Sequence, residues 1–457
     1  MSVPPVGPVP AGYTEDDAAR LHIDLDQDDY RSRFGRDYDR LVHTSAFRRL
    51  QGKTQVVTPG EADFFRTRLT HSIEVAQVAR RLGEKLGANP DLCEASAILH
   101  DLGHPPFGHV GERELNNAVD RTAEGWQLDA VDGVGGFNGN AQSFRLAVKT
   151  LSQSGAFPGL DLTRAVLDGA VKYPYRRQEP GITDSDDHWC FYPTETADAQ
   201  WVREGLATER QFIRSLEAQI VDWADDVAYS IHDLEDWYRA GFMPLEMLAQ
   251  SQEFRDEFAR QIAPRLASEE FDPNDVEVEA KELFGSPTFA GITSAYDGSA
   301  KVKEGIRTMR KDLFNEFTIV NLTDPHNLPT RHNNDLHVDS RVRLRNKILK
   351  QLLWEFVIGH PRMATHQMGQ ARTVRELFEL HVQALAYDPS TGRVDDRNAA
   401  LDIFPPDLRE RLEDEEVVPT ERLRLVADRV SGMSDDYAIR LHGRLTGAAP
   451  GVFNAFV

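Results

Sequence analysis

Apolar residues recur every three or four positions through most of the chain, which is the pattern of amphipathic helices. One stripe runs from Val75 to Leu86 and stops at Gly87, and a second runs from Leu92 to Leu102 before Gly103. Short strands are predicted at Thr54–Thr58 and Phe317–Asn321. Further helices are predicted over residues 198–240, 301–316, 340–358, 370–386 and 416–444. The expected fold class is therefore mainly α, with few short strands.

Composition narrows the class of protein. The 457 residues are 40% hydrophobic, and no apolar run reaches the ~18 residues of a membrane span. The N-terminus carries prolines and acidic residues where a secretion signal needs a basic start and an apolar core, so residues 1–30 are expected to form a flexible tail of a cytoplasmic protein. The two cysteines, Cys93 and Cys190, exclude a disulfide framework and a four-cysteine zinc site.

The net charge of the chain limits the classes of partner that it can bind. The 52 basic and 74 acidic residues give a net charge of −22, which makes binding to nucleic acid unlikely, and no membrane partner is expected. Residues 31–53 nevertheless hold seven basic residues and two acidic ones. This segment predicts either a focused anion site or an ordinary basic surface helix, and charge alone does not separate the two.

Candidate chemistry is concentrated between residues 71 and 109. His71, His100, His104 and His109 lie there, and Asp101 directly follows His100. Imidazole and carboxylate groups together suit a divalent cation. The HPPFGH segment cannot continue a helix, so its two histidines are expected on a rigid loop.

Two further acidic features accompany this group. Glu112 follows His109 by about one helical turn and could form a proton-transfer pair with it, or simply be an acid favoured near a helix start. Asp225, Tyr229 and Asp233 recur every four residues and so share one face of a predicted helix. A solvated acidic face is the alternative, although the neighbouring Trp223 favours partial burial.

The order His71, His100-Asp101, Asp225 resembles the signature of HD-domain phosphohydrolases. The surrounding segments resemble the deoxynucleoside triphosphate triphosphohydrolases, the dGTPase-like branch, over roughly residues 31–240. These segments are RDYDRLVHTSAFRRLQGKTQVV, RTRLTHSIEVAQVAR, ILHDLGHPPFGHVGE, GGFNGNAQSFR, KYPY and ADDVAYSIHDLED. The resemblance implies an HD-type helical core over residues 31–240. It also implies a helical region over residues 241–457 that contributes to the active site and to oligomer contacts.

The resemblance also implies roles for individual residues. One divalent metal ion, Mg²⁺, Mn²⁺ or similar, would be bound by His71, His100, Asp101 and Asp225. His109 and Glu112 would be catalytic, assisted by His104. The substrate would be bound by Gln55, Val56, Arg68, Asn140, Lys172, Tyr175, Tyr229 and Asp233. Asp225 is chosen over Asp226 because the substrate tyrosine of the family follows its metal aspartate by four residues. One departure stands out: Asn138-Gly139-Asn140 replaces Glu-His-Asn, so Gly139 stands where many relatives carry a histidine.

The implied reaction converts a dNTP and water to a deoxynucleoside and inorganic triphosphate. A homo-oligomer, often a hexamer in this family, and a nucleotide effector are the further expected partners. Two alternatives stay open: an HD phosphohydrolase acting on a monophosphate, cyclic nucleotide or alarmone, and a non-catalytic nucleotide-sensing protein. Arg341 or Arg345, in the basic segment 339–351, would either contact phosphates or belong to an exposed helix or oligomer contact.

Overall fold

The computed structural model describes residues 9–22, 31–54, 65–151, 157–267, 271–359, 361–388, 393–394, 400–414 and 416–448. Helices dominate these ranges, which confirms the mainly α class. The helices are α1 (Arg33–Val42), α2 (Ser45–Arg49), α3 (Arg68–Leu86), α4 (Pro90–Leu99), α5 (Gly108–Gly125), α6 (Gly139–Arg145), α7 (Arg164–Gly169), α8 (Thr196–Val202), α9 (Leu216–Arg239), α10 (Leu245–Gln250), α11 (Gln252–Ala267), α12 (Pro273–Gly285), α13 (Ala300–Phe317), α14 (Ser340–Leu353), α15 (Pro361–Ala384), α16 (Pro406–Glu413), α17 (Pro419–Ser431) and α18 (Asp435–Leu445). The strands are β1 (Val320–Leu322), β2 (Leu336–Val338), β3 (Tyr387–Asp388) and β4 (Arg393–Val394).

The described residues form two compact units. Unit 1 comprises the described parts of Met1–Val221, Thr330–Asn333 and Gln367–Val457, and unit 2 those of Asp222–Pro329 and Asn334–His366. In unit 2, α12 packs against α11 and α14, and β1 pairs antiparallel with β2 in the register Val320↔Val338. None of the helices in the described part of the chain is both long and apolar enough to cross a membrane.

The helix α3 ends at Gly87 as the sequence indicates, whereas α4 ends at Leu99 and not at the predicted Gly103. Thr67 caps α3 by accepting the Thr70 N–H, and the helix ends at Gly87, whose φ of 84° suits a residue without a side chain. Asn89 then caps α4 by accepting the Leu92 N–H, and Pro90 occupies its first turn. The two helices pack against each other in unit 1.

The single helix predicted over residues 198–240 is wrong, because the structure has α8 and α9 separated by a folded segment. The Arg203 guanidinium donates hydrogen bonds to the backbone carbonyls of Arg210, Gln211 and Ile213, which wraps this segment around one buried side chain. Gly205, with a φ of 78°, makes the turn after α8.

Other observed element boundaries also differ from the predicted ones. The strand predicted at Phe317–Asn321 begins only at Val320, because α13 continues through Phe317. The helix predicted over residues 416–444 is divided into α17 and α18. Of the predicted strand Thr54–Thr58, only Thr54 lies among the described residues, where it forms an isolated bridge with Thr67.

The N-terminal segment was expected to be a flexible tail, and for residues 9–22 that expectation is wrong. Tyr13 is buried, and its hydroxyl donates to the Glu217 carboxylate at 2.6 Å. Arg20 bridges to Thr163 through the backbone and pairs with the buried Asp37 at 2.6 Å. Buried polar contacts of this kind hold the segment in unit 1.

The C-terminal helices also belong to unit 1. Residues of α17 and α18, including Val430 and Ala438, share a buried apolar cluster with Phe107 and with Leu115 of α5. The last helices therefore reach the loop and helix that carry His104, His109 and Glu112. The predicted division of the chain into an HD-type core over residues 31–240 and a C-terminal region over residues 241–457 stays a prediction.

Candidate metal centre and active site

Three of the four predicted metal ligands meet in the interior of unit 1. His71 lies in the first turn of α3, His100 caps the end of α4, and Asp101 follows it. One ligand atom from each lies within 4.8 Å of the others, and all three residues are buried. Nδ1 of His100 lies 2.5 Å from the Ala97 carbonyl oxygen, so it carries the proton, and the lone pair of the neutral ring is on Nε2.

Asp101 is held by two further neighbours. Arg68 donates to its Oδ1 at 2.6 Å, and Nδ1 of His104 lies 2.9 Å from the same oxygen. Burial alone would raise the pKa of Asp101, but the Arg68 guanidinium and the neighbouring imidazoles of His104 and His100 outweigh it and hold the pKa well below its usual range. The carboxylate is therefore ionised, which is the state that a cation requires.

The donor set fits a divalent cation. Two imidazoles and an ionised carboxylate converge in a buried space, and a buried anion needs a positive partner. Arg68 supplies one such partner at Oδ1, and within the described part of the chain Oδ2 of Asp101 is contacted by the Ser72 hydroxyl at 3.4 Å. His71, His100 and Asp101 are thus the residues that could hold the metal.

The predicted catalytic pair also forms. Nδ1 of His109 lies 3.4 Å from Oε2 of Glu112, and the Gly139 N–H donates to Oε1 of Glu112 at 2.5 Å. Burial acts to raise the pKa of Glu112, but the hydrogen bond with His109 and the nearby histidine charges lower it to about 2. The side chain of His109 is 80% exposed, and its ring centroid lies 6.3 Å from that of His104.

The glycine that departs from the family pattern lies against His104. Asn138 caps α6 by accepting the Asn140 N–H, which places Gly139 at the first residue of the helix. A Cβ atom on Gly139 would lie 3.0 Å from Cδ2 and 3.1 Å from Cγ and Nε2 of His104. The missing side chain therefore makes room for the His104 ring. Asn140 itself donates to the Asn138 side chain at 3.1 Å.

The KYPY segment forms an aromatic group. Tyr175 is buried with its hydroxyl 3.4 Å from Asp184, and burial together with that carboxylate raises its pKa. The ammonium of Lys172 lies 5.9 Å from the ring centroid of Tyr173. Tyr173 in turn stacks on His188 at 4.7 Å, a contact that the sequence reasoning missed.

The remaining predicted residues belong to unit 2 or lie outside the described residues. Asp225, Tyr229 and Asp233 lie on α9 within unit 2, and their part in the site stays a prediction. The neighbouring Asp226 pairs with Lys350, whose ammonium lies 5.9 Å from the Tyr229 ring centroid. Gln55 and Val56 lie outside the described residues.

The basic segments are largely committed to contacts inside the protein. In α14, Arg341 pairs with Glu279 and Glu282, and Arg345 pairs with Glu279 and Glu316. In the segment 31–53, Arg33 pairs with Glu15, and Arg40 donates to the carbonyls of Leu160 and Asp161.

Lys53 of that segment is buried, and sequence reasoning gave it no role. Its ammonium donates to the carbonyls of His104 and Ser431 at 2.6 and 2.8 Å. Burial, with Arg49 and Arg68 nearby, lowers its pKa to about 7. The lysine in a GKT segment carries no local signal of such a bridge, because one of its acceptors lies 378 residues away.

Comparison with known proteins agrees with this geometry. Residues 68–230 match the HD domain, and residues 336–444 match the phosphohydrolase-associated domain. The chain is thus an HD-domain phosphohydrolase.

Curated relatives narrow the family. The chain is 34% identical to a deoxyguanosinetriphosphate triphosphohydrolase-like protein of Streptomyces coelicolor, over 96% of this chain and 98% of that protein. A protein of the same name from Brucella ovis is 33% identical over 92% of this chain and 90% of its own length. A third, from Corynebacterium efficiens, is 43% identical over 52% of this chain and 54% of its own length. The chain belongs to the deoxyguanosinetriphosphate triphosphohydrolase-like family.

Proposed function

We propose that the protein is a divalent-metal-dependent dNTP triphosphohydrolase, which releases a deoxynucleoside and intact triphosphate by attack of water at the α-phosphorus. The observation that carries the proposal is the buried donor group of His71, His100 and Asp101, with the His109–Glu112 pair at the start of α5. The names of these relatives support a nucleoside triphosphate as the substrate.

Different side chains of unit 1 would hold the metal ion and contact the triphosphate. A divalent cation, when bound, would polarise a phosphoryl oxygen and orient a water molecule. Arg68 and His104 hold the Asp101 carboxylate in place through its Oδ1 atom. Arg68 and Lys172 would add charge-assisted contacts to the triphosphate.

Proton transfer falls to His109. Because Glu112 is an ionised acceptor facing Nδ1, the proton of the neutral imidazole is on Nδ1 and its lone pair on Nε2. An exposed Nε2 can accept a proton from water, and Glu112 then stabilises the imidazolium. The Gly139 N–H fixes the other oxygen of Glu112, so the carboxylate cannot easily turn away from the ring.

The reaction is tested by its products. The purified protein is incubated with each of the four dNTPs in the presence of Mn²⁺ or Mg²⁺, and the products are separated by ion-exchange chromatography. Deoxynucleoside with intact triphosphate is the expected result. Release of orthophosphate or pyrophosphate would indicate another HD phosphohydrolase, and nucleotide binding without turnover would indicate a sensor.

The role of His109 is tested with a matched pair of variants. His109→Ala should lower kcat by about 10²–10³, the usual loss when one preorganised catalytic partner is removed. His326→Ala removes another exposed histidine, from a turn of unit 2, and should leave kcat unchanged. Equal activity of the two variants would remove His109 from the proposed mechanism.

The proposal extends to assembly and regulation. A homo-oligomer and a nucleotide effector are proposed on the family resemblance alone. Light scattering of the purified protein measures the mass of the assembly and whether added dNTP changes it. A mass that stays at one chain of 51.5 kDa would contradict the oligomer.

A further inference from the structure

A buried carboxylate from the far end of the chain reaches two segments that lead into the site. Asp435, the first residue of α18, is 0% exposed. Its Oδ1 accepts the Phe107 N–H and its Oδ2 accepts the Thr54 N–H, each at 3.0 Å. These partners lie 328 and 381 residues away in the sequence.

The first of these segments ends in a strained residue. Phe107 has a φ of +64°, a left-handed conformation that a bulky residue adopts only when its surroundings enforce it. It is also the residue from which α5 begins, and the first turns of that helix carry His109 and Glu112. The hydrogen bond to Asp435 therefore supports the backbone at the point that sets the direction of the catalytic pair.

The second segment leads into the helix that carries a metal ligand. Thr54 forms a bridge with Thr67, the residue that caps α3, and the Arg68 N–H donates to the Lys53 carbonyl at 3.1 Å. Any shift of Thr54 is thus transmitted to the first turn of α3, which holds Arg68 and His71.

A second bridge runs parallel to the first. The Lys53 ammonium joins the His104 carbonyl to the Ser431 carbonyl at the end of α17. The loop carrying His104 and Phe107 is consequently held by the C-terminal helices through two buried polar contacts, one with an anion and one with a cation. A carboxylate that only favoured the start of α18 would need neither backbone partner.

We propose that Asp435 is a positioning residue, which holds the starts of α3 and α5 in the register that the reaction needs. It touches neither the substrate nor the proposed metal ligands, and acts through the Phe107 and Thr54 backbones. The inference rests on the proposed function for its kinetic consequence, but its structural basis can be measured without activity.

The kinetic test compares two substitutions. Asp435→Ala removes both acceptors, and Asp435→Asn keeps one acceptor oxygen while placing an NH₂ group against the other N–H. At a temperature where each variant is fully folded, kcat of Asp435→Ala should fall about 10–100-fold, since displacements near 1 Å cost about 10² in rate. KM should change by less than kcat does, because Arg68 shifts with the first turn of α3, whereas the other proposed substrate contacts, Lys172 and Tyr175, lie in a separate segment. Asp435→Asn should lie between the wild type and Asp435→Ala.

Hydrogen exchange supplies the readout that does not depend on catalysis. The amides of Thr54 and Phe107 should be protected in the wild type and should exchange at least about 10-fold faster in Asp435→Ala. In Asp435→Asn only one of the two should lose protection. Amides in the middle of α4 should exchange at the wild-type rate in both variants.

Leu423→Ala is the matched control, because it removes a fully buried side chain from α17 and destabilises the same region without touching Asp435. It should keep kcat within about 2-fold of the wild type. Wild-type kcat in Asp435→Ala, or an equal loss in Leu423→Ala, would overturn the positioning role. If the wild type hydrolyses no dNTP, the proposed function fails, whereas unprotected Thr54 and Phe107 amides in the wild type would refute the Asp435 anchor itself.

Discussion

Adding a single methyl group at Gly139 tests whether its missing side chain matters to the site. Gly139 does not have a positive φ, so the backbone accepts alanine without strain, and the effect of Gly139→Ala is steric. The new carbon would lie 3.0–3.1 Å from three atoms of the His104 ring. Ordinary carbon contacts are about 3.5–4.0 Å, so the ring or α6 must move by about 0.5 Å.

Both sides of this contact are held. The His104 ring is 2.9 Å from Asp101, and its carbonyl accepts from Lys53. On the other side, the Ser143 hydroxyl of α6 accepts the Gly103 N–H and lies 2.9 Å from the His100 carbonyl. Overpacking between two fixed surfaces typically costs about 1–3 kcal/mol of unfolding free energy. If the ring gives way by half an ångström, kcat should fall about 10-fold, taking about 10² for a full ångström.

The measurements are dNTP turnover at saturating divalent metal and urea unfolding followed by circular dichroism. Gly369→Ala is the control, because this glycine lies in α15 and a Cβ there would meet no atom within 4 Å. The control should keep full turnover and gain about 0.4–1 kcal/mol of stability from the unfolded-state effect of alanine. A Gly139→Ala variant with the activity and stability of Gly369→Ala would refute the steric reasoning.

Three other predictions concern buried charge. Arg145→Met should lower the free energy of unfolding in urea by about 3–5 kcal/mol, because it leaves the fully buried Glu195 without its cation. Glu195→Gln should lower it by less than half as much, because Arg145 still pairs with Glu421 and Asp428. Burial lowers the pKa of His381 in the folded protein from 6.5 to about 4. As the pH falls, this histidine therefore gains its proton in the unfolded chain before it does so in the folded one. The wild type should therefore lose about 2 kcal/mol of stability between pH 8 and pH 5 that His381→Asn does not lose. Removing divalent metal with a chelator should lower the melting temperature of the wild type but not that of Asp101→Ala, since bound metal stabilises only a folded site.

Each of these has an outcome that contradicts it. Arg145→Met as stable as the wild type would show that the carboxylates around it need no cation. Parallel pH profiles for the wild type and His381→Asn would show that His381 titrates normally in the folded protein. A chelator that lowers both melting temperatures equally would place the metal effect outside the His71, His100 and Asp101 group.

The part of the site that the sequence predicts is the part built from local patterns. The apolar stripe ending at Gly87 and the one ending near Gly103 fix which helix faces are buried, and His71 and His100 follow from their positions in those stripes. The HPPFGH segment likewise predicts a loop, because its prolines exclude a helix; this holds for His104, but the loop predicted at His109 is wrong, because α5 already begins at Gly108. These features need only neighbours within one or two helical turns.

The features that the sequence did not predict depend on distant partners. Asp435 looks like any acid in the first turn of a helix, and Arg203 looks like any surface cation after one. Their roles come from backbone groups that neither periodicity nor composition identifies. Asp435 accepts from the Phe107 and Thr54 amides, and Arg203 donates to three loop carbonyls. The long helix predicted over residues 198–240 was wrong for this reason.

A net charge of −22 also says little about the field at the site, and the reason is distance. Salt screens charges separated by more than a Debye length, about 8 Å at physiological ionic strength, so most of the acidic surface contributes little at any one point. The field inside unit 1 is instead set by buried groups a few ångströms apart, where screening is weak. Arg68 lies there beside Asp101 and is buried, whereas burial of the nearby Lys53 lowers its pKa to about 7. Under the proposed function, a chain of net negative charge can thus still place Arg68 where the triphosphate would bind, and charge reversal at the surface should change turnover far less than the loss of this buried cation.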